Sequence, residues 1–96
     1  MPGHARSVVT FVVAGPIAPS DLPGLCDRVR VLLERSRAAV ALCDVSSVGA
    51  DAVTVDALAR LQLVAHRHGC QVRLQRASGE LRKLLGFVGL QDVIPD

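Results

Sequence analysis

The sequence predicts an α/β domain with a central, mostly parallel sheet flanked by helices, in the order β-α-β-α-β-α. Two patterns alternate along the chain. Short runs rich in Val, Ala and Leu, at residues 7–14, 38–43 and 72–74, read as strands, and each is followed by a stretch whose apolar residues recur at three- and four-residue steps. The third observation is length: 96 residues have room for one hydrophobic core and no second. The chain is therefore expected to be one domain over residues 1–96, with 1–6 as a flexible lead-in.

The first strand pattern, Ser7-Val8-Val9-Thr10-Phe11-Val12-Val13-Ala14, is ended by Gly15-Pro16 and reads as a buried strand. A helix follows, for which Ser20 or Asp21 can serve as the cap and in which Pro23 is tolerated in the first turn. Its core stripe is Leu22, Leu25, Cys26, Val29, Leu32 and Leu33, and the charged Asp27, Arg28, Arg30, Glu34 and Arg35 fill the other face. The second strand, residues 38–43, leads into the polar loop Asp44-Val45-Ser46-Ser47-Val48-Gly49-Ala50. Ligands of open α/β sheets bind at such strand ends. A second helix runs from near Asp51 to His68, stopped by Gly69. Val72 and Leu74, alternating with Arg73 and Arg76, give a half-exposed third strand. Ser78 caps a last helix with the stripe Leu81, Leu84, Leu85 and Val88, and Leu90, Val93 and Ile94 close the chain.

Composition removes several classes of function. A net charge of +2, scattered along the chain, makes no electrostatic stripe for nucleic acid, and with two aromatic residues there is little to stack on bases. Ten of the eleven basic residues are Arg, which GC-rich coding explains without any special role. No apolar run reaches the roughly 18 residues a membrane span needs, and no signal-like segment opens the chain, so neither membrane insertion nor export is expected. Cys26, Cys43 and Cys70 lack the paired spacing of a disulfide framework or zinc site, which suits a reducing cytoplasm.

The second helix carries the functional reading. Ala57, Leu58, Leu61, Val64 and Ala65 form the stripe that packs on the sheet, with Thr54 on the same side. A second stripe, Ala52, Val55, Ala59 and Leu63, exceeds what one buried face requires. Either another part of the chain covers it, or it is an apolar patch of the kind that marks a partner site. The same stripe could also join two copies of the chain as a homodimer.

At these residues the chain resembles the STAS family, the anti-sigma-factor-antagonist-like domains. The resemblance rests on Val40-Ala41-Leu42-Cys43-Asp44-Val45-Ser46-Ser47-Val48, then Asp51, Val55, Ala57-Leu58 and Leu61, then Gly69-Cys70-Gln71-Val72-Arg73-Leu74. Residues 81–90 are similar to that family's closing helix and tail, and the Gly15 turn also matches. It implies a bacterial regulatory module without catalytic activity, docking an anti-sigma-factor or serine-kinase-like partner through the loop 46–51 and the start of the second helix. Together with the surplus stripe, it gives the candidate partner-binding residues Asp44, Ser46, Ser47, Asp51, Ala52, Val55, Ala59 and Leu63. A STAS-like cytosolic subunit of a lipid-transport assembly is the alternative.

The chain departs from the family where a hydroxyl at the helix start accepts phosphate from the partner kinase. The corresponding stretch is Asp51-Ala52-Val53-Thr54, with the loop one residue shorter, so Ala52 stands at the acceptor position. Thr54 and Ser46 are then the hydroxyls left for a kinase to modify. A phosphate near Asp51 and Asp56 would be repelled, although the helix dipole favours it.

Other chemical motifs are weaker. His66, His68 and Cys70 offer three donors in five residues but straddle a helix end with no fourth ligand, so no metal is expected. Cys43 lies in an apolar strand with no base fixed beside it. Asp44 and Asp51 suit turn and cap roles better than an acid–base pair. No glycine-rich phosphate loop follows the early strands, and no cofactor is expected.

Overall fold

The computed structural model describes residues 7–90. The expectations for the flexible residues 1–6, and for Val93 and Ile94 closing the chain, lie outside them. The order is β1 (Val8–Val12), α1 (Leu22–Ser36), β2 (Val40–Asp44), α2 (Ala52–Arg67), β3 (Gln71–Gln75) and α3 (Gly79–Phe87), with a 3-10 turn at Pro19–Asp21 before α1. The three strands form one parallel sheet in the order β1-β2-β3.

Parallel pairing in sequence order requires two crossovers, and right-handed crossovers put α1 and α2 on the same side of the sheet, where they pack against each other. The register then sorts the strand residues. Val9, Ala41 and Val72 lie side by side, as do Phe11, Cys43 and Leu74, and these two rows face the core. Their neighbours, Val8-Val40-Gln71, Thr10-Leu42-Arg73 and Val12-Asp44-Gln75, form the opposite, accessible face.

β1 is consequently not the buried strand its apolar run suggested. It is an edge strand with Val8 53% and Val12 63% exposed, because one of its faces lacks a helical cover and one of its edges lacks a neighbour among the described residues. An unbroken apolar run satisfies a sheet covered on both faces, but does not create the second cover.

The helices fill the core as their periodicity dictates. α1 buries Leu22, Leu25, Val29 and Leu33, while Cys26 and Leu32 are half-buried. Neither Ser20 nor Asp21 caps it. The Asp21 carboxylate instead accepts the Ala18 N–H at 2.9 Å, closing the 3-10 turn ahead of the helix. α2 buries Thr54, Ala57, Leu58, Leu61 and Ala65. Ser78 caps α3 by accepting the Leu81 N–H at 3.1 Å, and Leu81 and Leu85 are buried. Val88, expected in that stripe, lies past the helix end and is exposed, whereas Leu90 folds back to pack on the core through its N–H bond to the Leu85 carbonyl at 2.8 Å. Arg76, expected in β3, instead follows it in the left-handed conformation, with φ of 60°.

One glycine sets the distance between two loops. A Cβ at Gly15 would lie 2.6 Å from the Ser47 carbonyl oxygen and 2.9 Å from the Val48 Cα, so the turn after β1 sits directly on the loop after β2. At Gly24, in the first turn of α1, a Cβ meets nothing within 4 Å. Opposite effects are therefore expected in thermal or denaturant unfolding. Gly15→Ala should destabilise by about 1–3 kcal/mol through overpacking against backbone, and Gly24→Ala should stabilise by about 0.4–1 kcal/mol by restricting the unfolded chain.

Candidate protein-binding surface

The loop from β2 to α2 is built from short-range polar contacts. Asp44, at the last position of β2, accepts the Ser46 N–H at 2.9 Å through Oδ1, and its Oδ2 lies 3.6 Å from Nη1 of Arg76 beyond β3. The Ser46 N–H, then the Ser46 hydroxyl and Arg76, hold the Asp44 carboxyl below the ordinary carboxylate value. Ser47 ties the loop to the end of β1: its hydroxyl donates to the Val13 carbonyl at 3.4 Å and accepts from the Gly15 N–H at 3.3 Å. Asp51 is the N-cap of α2. Its Oδ1 accepts the Thr54 N–H at 2.8 Å. That bond, joined by the Thr54 hydroxyl and the Val53 N–H, also lowers the Asp51 carboxyl.

The residues singled out from the sequence separate into two groups. Asp44, Ser46, Ser47, Asp51 and Ala52 gather at the C-terminal end of β2, with Ser46 and Ala52 exposed. Val55, Ala59 and Leu63 continue along the outer side of α2, and Leu63 lies about 16 Å along the axis from Ala52. Val55 and Ala59 are half-buried, and Leu63 is 49% exposed, so the described residues leave much of this stripe uncovered. Thr54 is 1% exposed and its hydroxyl bonds the capping carboxylate, so it faces away from any enzyme approaching the helix start.

An apolar cleft adjoins this loop, and the sequence reading missed it. Ala50, Leu84 and Phe87 line this shallow, open depression of about 420 Å³ together with Glu80 and Lys83. Phe87 is 89% exposed. Its position on α3, about 110° from the centre of the Leu81–Leu85 stripe at 100° per residue, was the available signal.

The remaining chemical candidates occupy structural positions. Cys43 is buried in β2, and burial, with the neighbouring Asp44, pushes its thiol up to about 12. Burial also raises Cys26 and Cys70, and all three cysteines are free. His68 Nδ1 lies 3.0 Å from the Val64 carbonyl and Nε2 3.7 Å from Glu34, while Cys70 turns into the core. Among the described residues, no three His, Cys, Asp or Glu side chains are placed to hold a metal ion, and no helix is long and apolar enough to cross a membrane. Comparison with protein-family models and with curated proteins finds no match to this chain.

The two lowered carboxyls set a pH dependence. A carboxyl held low in the folded chain contributes stability that is complete above its ordinary value, about 3.9, and that disappears as pH falls through the lowered one. The melting temperature should therefore fall between about pH 5 and pH 2. Asp51→Asn, whose amide oxygen can still cap α2, should flatten part of that slope while retaining the helix by circular dichroism. An unchanged slope would remove Asp51 from the explanation.

Proposed function

We propose that this chain is a non-catalytic regulatory protein-binding module, acting in the cytoplasm. It docks an anti-sigma-factor or serine-kinase-like partner through the loop 46–51, the start of α2 and the adjoining wall of α3. The observation that carries this reading is the open apolar surface of Ala50, Leu84 and Phe87 beside the capped start of α2, with an aromatic ring left almost wholly in solvent. Aromatic side chains of this kind anchor protein interfaces, since they bury a large rigid surface at low entropic cost. Asp44, Ser47 and Asp51 shape the loop that borders the cleft, and their polar atoms are engaged in doing so. The STAS-like sequence pattern supplies the partner class, and the three free cysteines suit a reducing compartment.

Two experiments test the proposal. Immobilised chain should retain a kinase-like protein from the cytoplasm of its own cells. Phe87→Glu and Ala50→Asp should each lower that retention by about tenfold or more, with folding unchanged, on the scale of a lost interface anchor. Equal retention by wild type and both variants would overturn this docking surface. When the retained kinase is supplied with ATP, intact-mass spectrometry should find no stoichiometric phosphate. Ala52 has no hydroxyl, Thr54 is buried, and Ser46 lies outside the helix. Stoichiometric phosphate on Thr54 or Ser46 would show that a phosphoswitch operates after all.

A further inference from the structure

The outer edge of β1 is a second site, independent of the surface proposed above. In the parallel ladder the Val13 N–H donates to Asp44 and the Ser7 carbonyl accepts from Ala39, so the odd-numbered residues bond inward to β2. The backbone groups of Val8, Thr10 and Val12 therefore point outward along an edge that no described strand covers. β3 is blunted by Arg73 on its accessible face and ends at the left-handed Arg76. From Ser7 to Ala14, β1 and its flanks carry no charge.

Beside this edge, under α1, lies a groove of about 300 Å³ lined by Phe11, Val12, Leu25, Arg28, Val29 and Leu32. Arg28 stands at one end. Arg35, seven residues on, shares its helical stripe about 10 Å further along. Both are exposed and neither has an ion-pair partner among the described residues, whereas Arg30 is paired with Asp27 and Glu34 on the other flank of α1. An extended segment added here would need an apolar side chain for the groove and a carboxylate two residues to either side of it, for Arg28 and Arg35. The residue order is acidic, any, apolar, any, acidic.

Asp92-Val93-Ile94-Pro95-Asp96 has that order. We propose that β1 and the α1 groove bind the segment Asp92–Asp96 of a second copy of this chain, as an added strand parallel to β1. α1 runs antiparallel to β1, so this direction brings Asp92 to Arg35, Ile94 into the groove and Asp96 to Arg28. It also settles the proline. In parallel pairing the added strand bonds β1 through Asp92, Ile94 and Asp96, so the N–H that Pro95 lacks belongs on the outer side, where an edge strand tolerates it. A second β1 is opposed here, because pairing two β1 edges would bring the arginines of both copies together. The segment of the same copy has too short a tether. α3 ends near Ala50, at the C-terminal end of the sheet, whereas Asp92 has to reach Arg35 toward the opposite end of β1, on the order of 13 Å along the strand. Two residues past Leu90 reach only about 7 Å.

Light scattering across a concentration series tests this on the full chain. Self-association is expected, weakening as salt rises. It should be lost on deletion of residues 91–96 and on Thr10→Pro, which removes an outward N–H without touching the ladder to β2. A fluorescent peptide of residues 90–96 should bind the deleted chain and lose about tenfold in affinity to its Arg28→Glu/Arg35→Glu form. Peptide with Asp92→Lys and Asp96→Lys should recover binding to that form. A full chain that stays monomeric, a deleted chain that associates as before, or peptide binding indifferent to the charge reversal would each overturn the proposal. Because Phe87→Glu leaves this edge untouched, failure here and failure of the partner-docking surface are separately visible.

Discussion

The handedness of two crossovers governs most of this molecule. Three parallel strands in sequence order, joined with the right-handed connection that such units adopt, place both connecting helices on one side of the sheet, where α1 packs on α2. Burial therefore falls on alternate strand residues, and Ala41, Cys43, Val72 and Leu74 are enclosed while Val40, Leu42, Gln71 and Arg73 are not. The same topology makes β2 the central strand and leaves β1 at an edge. Both binding surfaces follow from it: one lies where β2 ends, and the other where β1 has no neighbour among the described residues.

At the end of β2, the polar residues most suggestive of chemistry are the ones the backbone needs. A chain leaving a strand and entering a helix exposes unpaired N–H groups, and the carboxylates of Asp44 and Asp51 accept from Ser46 and Thr54. Ser47 closes the contact with the Gly15 turn, which works only because no Cβ stands between the two backbones. A loop fixed in this way keeps its shape without a ligand. It can position a neighbouring apolar surface, and Ala50, within the loop, borders the same open depression as Leu84 and Phe87 of α3.

Element type was legible in the sequence because periodicity reports it directly. The caps of α2 and α3, Asp51 and Ser78, were legible because each lies just before an apolar stripe. What periodicity cannot report is how many faces of a strand are covered. Residues 8–13 satisfy a doubly buried strand and a half-exposed edge equally well, and the number of helices on each side decides between them. Asp21 shows a similar limit: a residue suited to cap a helix was used to close a 3-10 turn, because Ala18 N–H lay within its reach. The apolar surface at Phe87 was not legible in this way, because a helix stripe reports the buried face and says nothing of an apolar residue outside it.

The arginines beside β1 admit one other interpretation, as guards against aggregation at an uncharged edge. Such guards work by standing on the strand, where they place charge in the path of any incoming chain, as Arg73 does on β3. Arg28 and Arg35 stand on α1 instead, and among the described residues nothing pairs with the row of outward N–H and carbonyl groups on β1. From that position they oppose a cationic strand, tolerate a neutral one and attract an acidic one. Their separation from Asp27 and Glu34, which engage Arg30 on the other flank of α1, preserves the discrimination, because a carboxylate on the same flank would have neutralised it. The helix thus supplies the charge preference while the strand supplies the hydrogen bonds, and a pairing partner has to satisfy both.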